Sequence, residues 1–301
     1  GGLWGGEPVL LGVLAIPLTV FCMVGAVNAF NMIDGVDGLA GGLSLVSLGL
    51  LAALAYGAGD AAAAVVAIAT LGGVIGFLAF NFRWALRPKA SVFMGNSGSI
   101  LVGFILAWLI IRLSQEPHRA FAPATAMWLF AVPLIDTLAV IVRRLWLGKS
   151  PFAADRTHVH HLLLDAGFRI GQTVAILMLA QLGFGLFGLA CDRLGMPEQL
   201  MLAGFIGAFF AYLYVMSRPW RVVPNLRVVH RALGLTIRGV NEVYVGPFDP
   251  VRASEEARAL LTPLGLPFYR VCVSGVGESA SAFAVVNVEH AARMGGTLRR
   301  L

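Results

Sequence analysis

Charge is scarce in this chain of 301 residues: Asp, Glu, Lys and Arg together make up 13% of it, against roughly 25% in soluble domains. Cysteine is scarcer still. Cys22, Cys191 and Cys272 stand apart, with no Cys-x-x-Cys spacing and no Cys/His cluster, so neither a disulfide framework nor a structural zinc site is indicated. No basic segment precedes the first apolar run and no methionine opens the chain, so no signal peptide is read, and the chain is expected to begin inside a longer protein. What is abundant is apolar: 58% of residues are hydrophobic before 36 glycines are added, and mean hydropathy is +0.82. A water-soluble globule is excluded, and the chain reads as an integral membrane protein. The net charge of +6 would suit nucleic acid in a soluble protein. In an apolar chain such an excess marks cytoplasmic loops instead, and no nucleic-acid partner is expected.

Spanning the hydrocarbon core takes about 20 apolar residues. Seven stretches qualify, at about Val9–Ala29, Leu39–Tyr56, Ala61–Phe82, Ser97–Leu113, Phe121–Val142, Ile170–Ala190 and Leu200–Met216. Arg and Lys then set orientation, because they accumulate on the cytoplasmic side. The segments after the third, fifth and seventh stretches hold Arg83, Arg87, Lys89, Arg143, Arg144, Lys149, Arg156, Arg169, Arg218, Arg221 and Arg227, whereas the other side holds Arg112, Arg119 and Arg193. The start of the chain is therefore expected outside and its end in the cytoplasm. The expected fold class is an all-α polytopic membrane protein of about seven transmembrane helices, residues 1–224, with a small α+β cytoplasmic tail at 225–301.

In that tail the pattern predicts strands near Glu242–Val245, Phe268–Val273 and Ala282–Val288 and a helix near Ala253–Leu261. No catalytic constellation is visible there. Its Val-Gly-Pro-Phe run faintly resembles small glycan-binding repeats that work outside the cytoplasmic membrane, the side opposite to the one the charge count gives this tail.

Three polar constellations fall on the side assigned to the cytoplasm. The first, Asn28-Ala-Phe-Asn31-Met-Ile-Asp34-Gly35-Val-Asp37-Gly38-Leu39, places two amides and two carboxylates at the start of a membrane helix, where ionisable groups are costly. Asp37 can simply cap that helix. Capping needs only one carboxylate, however, and a carboxylate pair among amide oxygens also suits a hard cation such as Mg2+ or Mn2+. The second, Phe93-Met94-Gly95-Asn96-Ser97-Gly98-Ser99, is a glycine-bearing helix entry of the kind that lets backbone N–H groups approach phosphate. An ordinary glycine turn reads as well. Because the second and fourth stretches both begin on this side, their N-termini can converge on one anion beside Asp34 and Asp37.

The third, Ser150-Pro-Phe-Ala-Ala-Asp155-Arg156-Thr157-His158-Val-His160-His161, gathers three of the six histidines within four residues, beside an arginine. A phosphate clamp, a zinc site and an inert basic loop are all open readings. Asp136, inside the fifth stretch, either serves substrate binding or bonds neighbouring helices.

The Asn-Ala-Phe-Asn-Met-Ile-Asp-Gly-Val-Asp-Gly-Leu, Phe-Met-Gly-Asn-Ser-Gly-Ser, Pro-Leu-Ile-Asp and Asp-Arg-Thr-His-Val-His-His runs, in this order and topology, resemble the polyprenyl-phosphate N-acetylhexosamine-1-phosphate transferases of glycosyltransferase family 4. The His-x-His-His form is closer to the branch that begins O-antigen, enterobacterial common antigen and teichoic or arabinogalactan linkers than to the peptidoglycan branch. The resemblance covers about residues 9–220 and leaves out the tail. It implies transfer of sugar 1-phosphate from a UDP-N-acetylhexosamine to undecaprenyl phosphate, with release of UMP, in a bacterial inner membrane as a first step of cell-envelope polysaccharide synthesis. A homodimer is one assembly open to it.

By the same resemblance, Asn31 and Asn96 are assigned to Mg2+ or Mn2+, and Asp34 and Asp37 to the nucleotide and the metal surroundings. Arg156, His158, His160 and His161 are assigned to the diphosphate, and Asn28, Phe93, Gly95, Ser97 and Asp136 to substrate. Two departures stand out. The family's aspartate pair in an early cytoplasmic loop is absent, as though four preceding spans of an eleven-span enzyme were missing, and Asn96 stands where the family has aspartate. Both leave room for a non-catalytic relative that binds UDP-sugar or lipid phosphate. A transporter is a further class, but transporters bind near the membrane midplane, whereas these residues gather at one interface.

The charge count makes the first testable prediction. A cysteine introduced at Ala154 should resist an impermeant reagent added outside intact cells and react after permeabilisation; labelling from outside would invert the topology.

Overall fold

The computed structural model describes residues 12–83, 89–148, 150 and 158–217, and beyond these residues 222–223, 225–226, 229, 240–247, 270–274 and 281–287. The chain divides into two units, Gly1–Leu164 with Arg169–Ser217, and Asp165–Phe168 with Arg218–Leu301.

The first unit is an all-α polytopic membrane bundle. A 3-10 turn at Gly12–Leu14 leads into α1 (Ala15–Ile33), followed by α2 (Leu39–Gly57), α3 (Ala61–Asn81), α4 (Gly95–Leu113), α5 (Pro123–Leu129), α6 (Ala131–Trp146), α7 (Val159–Asp165), α8 (Ile170–Arg193) and α9 (Glu198–Met216). Among the described residues, six helices are long and apolar enough to cross a membrane, or seven if α5 and α6 together make one span. α2 lies at the centre, packed on α3, α4 and α8, and α1 lies along α4 and α6. Small residues allow the close approaches: a Cβ at Gly42 of α2 would lie 2.7 Å from Met178 Sδ of α8, and one at Gly188 of α8 would lie 2.4 Å from Trp128 Cβ of α5.

Two expectations need correction. α1 continues to Ile33, past the expected end at about Ala29, so Asn31 lies on its last turn, three residues from Asn28 on one face, rather than after the helix. Nothing before the Asp34–Gly35 pair breaks the helix. The fifth stretch, expected as one span over Phe121–Val142, is two helices bent by 83°. Pro133 explains the break, since it has no N–H to give the Leu129 carbonyl four residues earlier. That carbonyl accepts instead from Ser47 Oγ of α2 at 3.0 Å and Gln181 Nε2 of α8 at 2.8 Å. The Val132 N–H, turned away from its own helix, donates to Gln181 Oε1 at 3.0 Å. One buried carboxamide therefore replaces the two helical hydrogen bonds lost at the bend. An apolar bundle offers no water to replace them.

At the opposite end from the polar constellations, Asp60 caps α3 through the Ala63 N–H at 3.0 Å and takes a two-pronged contact from Arg112 of α4, Nε at 2.5 Å and a terminal nitrogen at 3.1 Å. In the second unit, β1 (Val240–Pro247), β2 (Arg270–Ser274) and β3 (Ser281–Asn287) form an antiparallel sheet of order β1-β3-β2 on the three runs where strands were expected. The register shifts between Val245 and Pro247, on an edge strand, where a proline without an N–H is tolerated. The helix expected near Ala253–Leu261 lies outside the described residues.

Gln181→Leu keeps the volume but removes both replacement bonds. It should lower stability by about 1–3 kcal/mol, the range for leaving a buried N–H unpaired, read as a lower Tm in detergent. An unchanged Tm would show that the bend does not need the carboxamide.

Candidate active site

α1 and α3 end, and α2 and α4 begin, at the same end of the bundle, and α7 enters there between α6 and α8. After Ile33 the chain makes a tight turn: the Gly35 N–H donates to Ile33 O at 2.8 Å and the Leu39 N–H to Val36 O at 3.0 Å. Gly38 closes the turn in the left-handed region at φ +83°, and a Cβ there would lie 2.7 Å from Phe82 Cδ2, so glycine is required both by the backbone and by the space. Asp37 does not cap α2, whose N-cap is Gly38 without a side-chain bond. Its carboxylate accepts instead from Arg83 Nε at 2.6 Å.

The neighbouring carboxylate of Asp34 has a different setting. It is half-buried and, among the described residues, has no cation paired with it; burial first and the Asp37 carboxylate second push its carboxyl up from the ordinary value. Of two carboxylates three residues apart, one is neutralised by arginine and the other has no cation beside it among the described residues.

The second constellation joins the first through a serine. Ser99 Oγ, buried one turn into α4, donates to Asn31 Oδ1 at 2.6 Å, with the carbonyls of Gly95 and Asn96 at 3.1 and 3.2 Å. The last turn of α1 and the first turn of α4 are thereby held together, and Asn96 lies on that first turn with its side chain exposed. Gly95 starts the helix at φ +67°. The expected convergence of two helix N-termini is met only in part: the Gly38 N–H at the entry to α2 is already bonded to Asn81 Oδ1 at 2.6 Å, and α2 begins buried.

The histidine run packs onto the turn. A Cβ on Gly35 would fall 2.9 Å from His160 Nε2, so the imidazole lies directly against the Gly35 backbone between the two aspartates. His160 is 1% exposed, and among the described residues neither ring nitrogen has a hydrogen-bond partner. Burial above all, helped by His161 beside it, drives its pKa down to about 3, so the ring is neutral. His158 stacks on His160 at 5.5 Å and His161 is tilted against it at 4.3 Å.

His158 is anchored from below by Asp136. The Asp136 carboxylate, 1% exposed, lies 2.7 Å from His158 Nδ1 and accepts from the Val159 N–H at 3.0 Å and from the Tyr212 hydroxyl of α9. A carboxylate only accepts, so His158 Nδ1 carries the proton and Nε2 is the nitrogen left for chemistry. Of the two readings left open for Asp136, bonding between elements is the one these contacts describe.

The structure thus brings together Asn31, Asp34, Asp37, Gly95, Asn96, Asp136, His158, His160 and His161. Asn28 is exposed, its amide donating to Val24 O of its own helix at 2.8 Å, and Phe93 and Ser97 are exposed on the entry to α4. Arg156 lies outside the described residues. Among the described residues no three of His, Cys, Asp and Glu gather in metal-ligand geometry. Oxygen donors that would suit a hard divalent cation are the Asp34 carboxylate and the amides of Asn31 and Asn96.

Sequence reasoning missed Asn81, Ser99 and Tyr212 as contributors and counted Arg83 only as a charge. Asn81 is 5% exposed at the end of α3; its Oδ1 accepts from Gly38 N–H at 2.6 Å and its Nδ2 donates to Val92 O at 2.7 Å. One carboxamide therefore binds the aspartate turn to the segment entering α4. A buried amide closing an apolar stretch was the available signal.

Fold and site together define a polytopic membrane bundle with an oxygen-rich, imidazole-lined cluster at one end. The resemblance read from the motifs is borne out: residues 3–114 match the model described as Glycosyl transferase family 4. Similar curated proteins include the undecaprenyl-phosphate alpha-N-acetylglucosaminyl 1-phosphate transferases of Pasteurella multocida (strain Pm70), 37% identical over 52% of this chain and 44% of the relative, and of Yersinia pestis, 40% identical over 49% and 41%. The protein of the same name from Escherichia coli (strain K12) is 38% identical over 49% of this chain and 41% of its own length. The chain spans less than half the length of these curated relatives.

Asn81→Leu should loosen both segments that the amide ties. Faster amide hydrogen exchange at 34–38 and 92–95 is expected, with a stability loss of about 1–3 kcal/mol from the unpaired Gly38 N–H and Val92 carbonyl. Unchanged exchange in both segments would remove Asn81 from the scaffold.

Proposed function

We propose that the protein transfers N-acetylhexosamine 1-phosphate from a UDP-sugar to undecaprenyl phosphate, releasing UMP, on the cytoplasmic face of a bacterial inner membrane. The observation that carries this reading is the packing of neutral His160 on Gly35, between a carboxylate neutralised by Arg83 and one with no cation beside it among the described residues, next to the joined ends of α1 and α4. The names of the similar proteins, undecaprenyl-phosphate alpha-N-acetylglucosaminyl 1-phosphate transferases, support the acceptor and the sugar-phosphate transfer.

In the reaction an oxygen of the lipid phosphate attacks the phosphorus bearing the sugar, and the bond from that phosphorus to the UMP oxygen breaks. A lipid-linked sugar diphosphate and UMP result. Two anions must meet, so the site has to lower their repulsion and hold them in line. The Asp34 carboxylate and the amide oxygens of Asn31 and Asn96 fit a hard cation, and we assign these residues to holding Mg2+ or Mn2+. That ion would supply charge neutralisation to the diphosphate. Asp37, held by Arg83, shapes the same turn.

His160, neutral and without a partner among the described residues, has one N–H to donate and one lone pair to accept, the capacity needed to orient a diphosphate oxygen against the turn. His158, fixed by Asp136, presents Nε2, and with His161 and Arg156 it belongs to the diphosphate side. The small residues at the entry to α4, Gly95 and Ser97, let a nucleotide phosphate come close to backbone N–H groups, with Asn28 and Phe93 at the exposed margin. Lipid enters laterally from the bilayer and the nucleotide sugar from the cytoplasm.

The test uses the full-length protein, radiolabelled UDP-N-acetylglucosamine, undecaprenyl phosphate and a titration of Mg2+ or Mn2+. Label should enter lipid only when metal is present. Asn96→Asp adds a charged oxygen beside the cation, and should lower the metal concentration for half-maximal rate by about tenfold, roughly 1.4 kcal/mol of added binding. No labelled lipid at any metal concentration would overturn the transfer reaction. An unaltered metal requirement in Asn96→Asp would remove position 96 from the ion.

A further inference from the structure

Tyr212 lies on α9, far along the chain from every motif, yet its hydroxyl ends on Asp136 Oδ1, the oxygen that also accepts the Val159 N–H. The other oxygen, Oδ2, is left to His158 Nδ1 at 2.7 Å. Both oxygens of the carboxylate therefore have assigned donors, and the division fixes which one faces the imidazole. Tyr212 is part-buried, and its hydroxyl is committed to this carboxylate. Among the described residues the groups that act on Asp136 are His158, Tyr212 and the Val159 N–H. His160 and His161 are the next titratable groups, reached through the ring stack.

We propose that Tyr212 is a positioning residue for the transfer site: its hydroxyl holds the Asp136 carboxylate in the orientation that fixes His158 with Nδ1 protonated and Nε2 turned to the reacting groups. The proposal rests on the transferase reading for its consequence in catalysis, but the Tyr212–Asp136–His158 chain itself does not need that reading. A donor on Oδ1 draws negative charge away from Oδ2. Without it the carboxylate concentrates more charge beside the imidazole, and the charged form of His158 is favoured. The sign is therefore defined: loss of the Tyr212 hydroxyl raises the pH at which His158 loses its proton.

The experiment follows His158 by nitrogen NMR in the full-length protein labelled with 15N-histidine, with His158→Gln identifying the signal. In the unmodified protein the neutral ring should show Nδ1 protonated. Tyr212→Phe, which removes only the hydroxyl, should shift the His158 titration to higher pH, and in Asp136→Asn the same Tyr212→Phe change should have no effect. In the sugar-phosphate transfer assay, the acid limb of kcat/KM for Tyr212→Phe should move to higher pH by the same amount, with KM for the UDP-sugar changed less than about twofold, as expected of a group that touches no substrate.

An Nδ1 that carries no proton in the unmodified protein would overturn the proposal without any variant having to fold. So would a His158 titration in folded Tyr212→Phe that superimposes on that of the unmodified protein. If no transfer occurs in any protein while the titration shifts as expected, the transferase reading falls and the positioning of His158 by Tyr212 stands.

Discussion

A carboxylate enclosed by apolar helices has to be met by donors, because desolvating an ionised carboxylate without them costs several kcal/mol. Asp136 is enclosed in this way, and it draws its donors from three places: the His158 ring, the Val159 backbone and the α9 tyrosine. That requirement ties α6, α7 and α9 together and determines where the histidine run starts. It depends in turn on the bend at Phe130, since the direction of α6 after Pro133 sets where Asp136 emerges. The Gln181 carboxamide of α8 that satisfies the bend and the Asp136 carboxylate of α6 that collects the histidine segment solve one problem, polar groups inside an apolar bundle, a turn or two apart along α6.

The polar end of the bundle divides its charge unequally. Arg83 takes Asp37, while Asp34, half-buried next to it, has no described cation beside it. His160, the imidazole lying on the turn, does not correct this, because it is neutral. An excess of negative oxygen donors beside an uncharged ring is a poor place for a diphosphate alone and a suitable one for a diphosphate that arrives with a divalent cation. The same end would repel a substrate phosphate that had no cation to accompany it.

Much of this was legible in the sequence. Apolar runs placed the helices, the alternation in the tail placed its three strands, and the four motifs pointed to residues that the fold brings to one end. The bend between α5 and α6 was not legible from hydropathy, because Pro133 lies within a continuous apolar run and its partner, Gln181, is 48 positions further on. Asn81 and Tyr212 escaped for a related reason: each acts across the fold, and a single polar residue in an apolar stretch carries no spacing that names its partner. Local pattern identifies a motif, whereas the residue that holds two motifs in register belongs to neither.

The order of strands in the tail has its own consequence. β3 lies between β1 and β2, yet it is the last of the three to be made. As the chain leaves the ribosome, β1 and β2 emerge with no hydrogen-bonding partner in this sheet until residues 281–287 follow them. Sheet formation is thus deferred until Ser281–Asn287 has been made, after the membrane helices that precede it, and any truncation before Ser281 removes the strand that joins the other two.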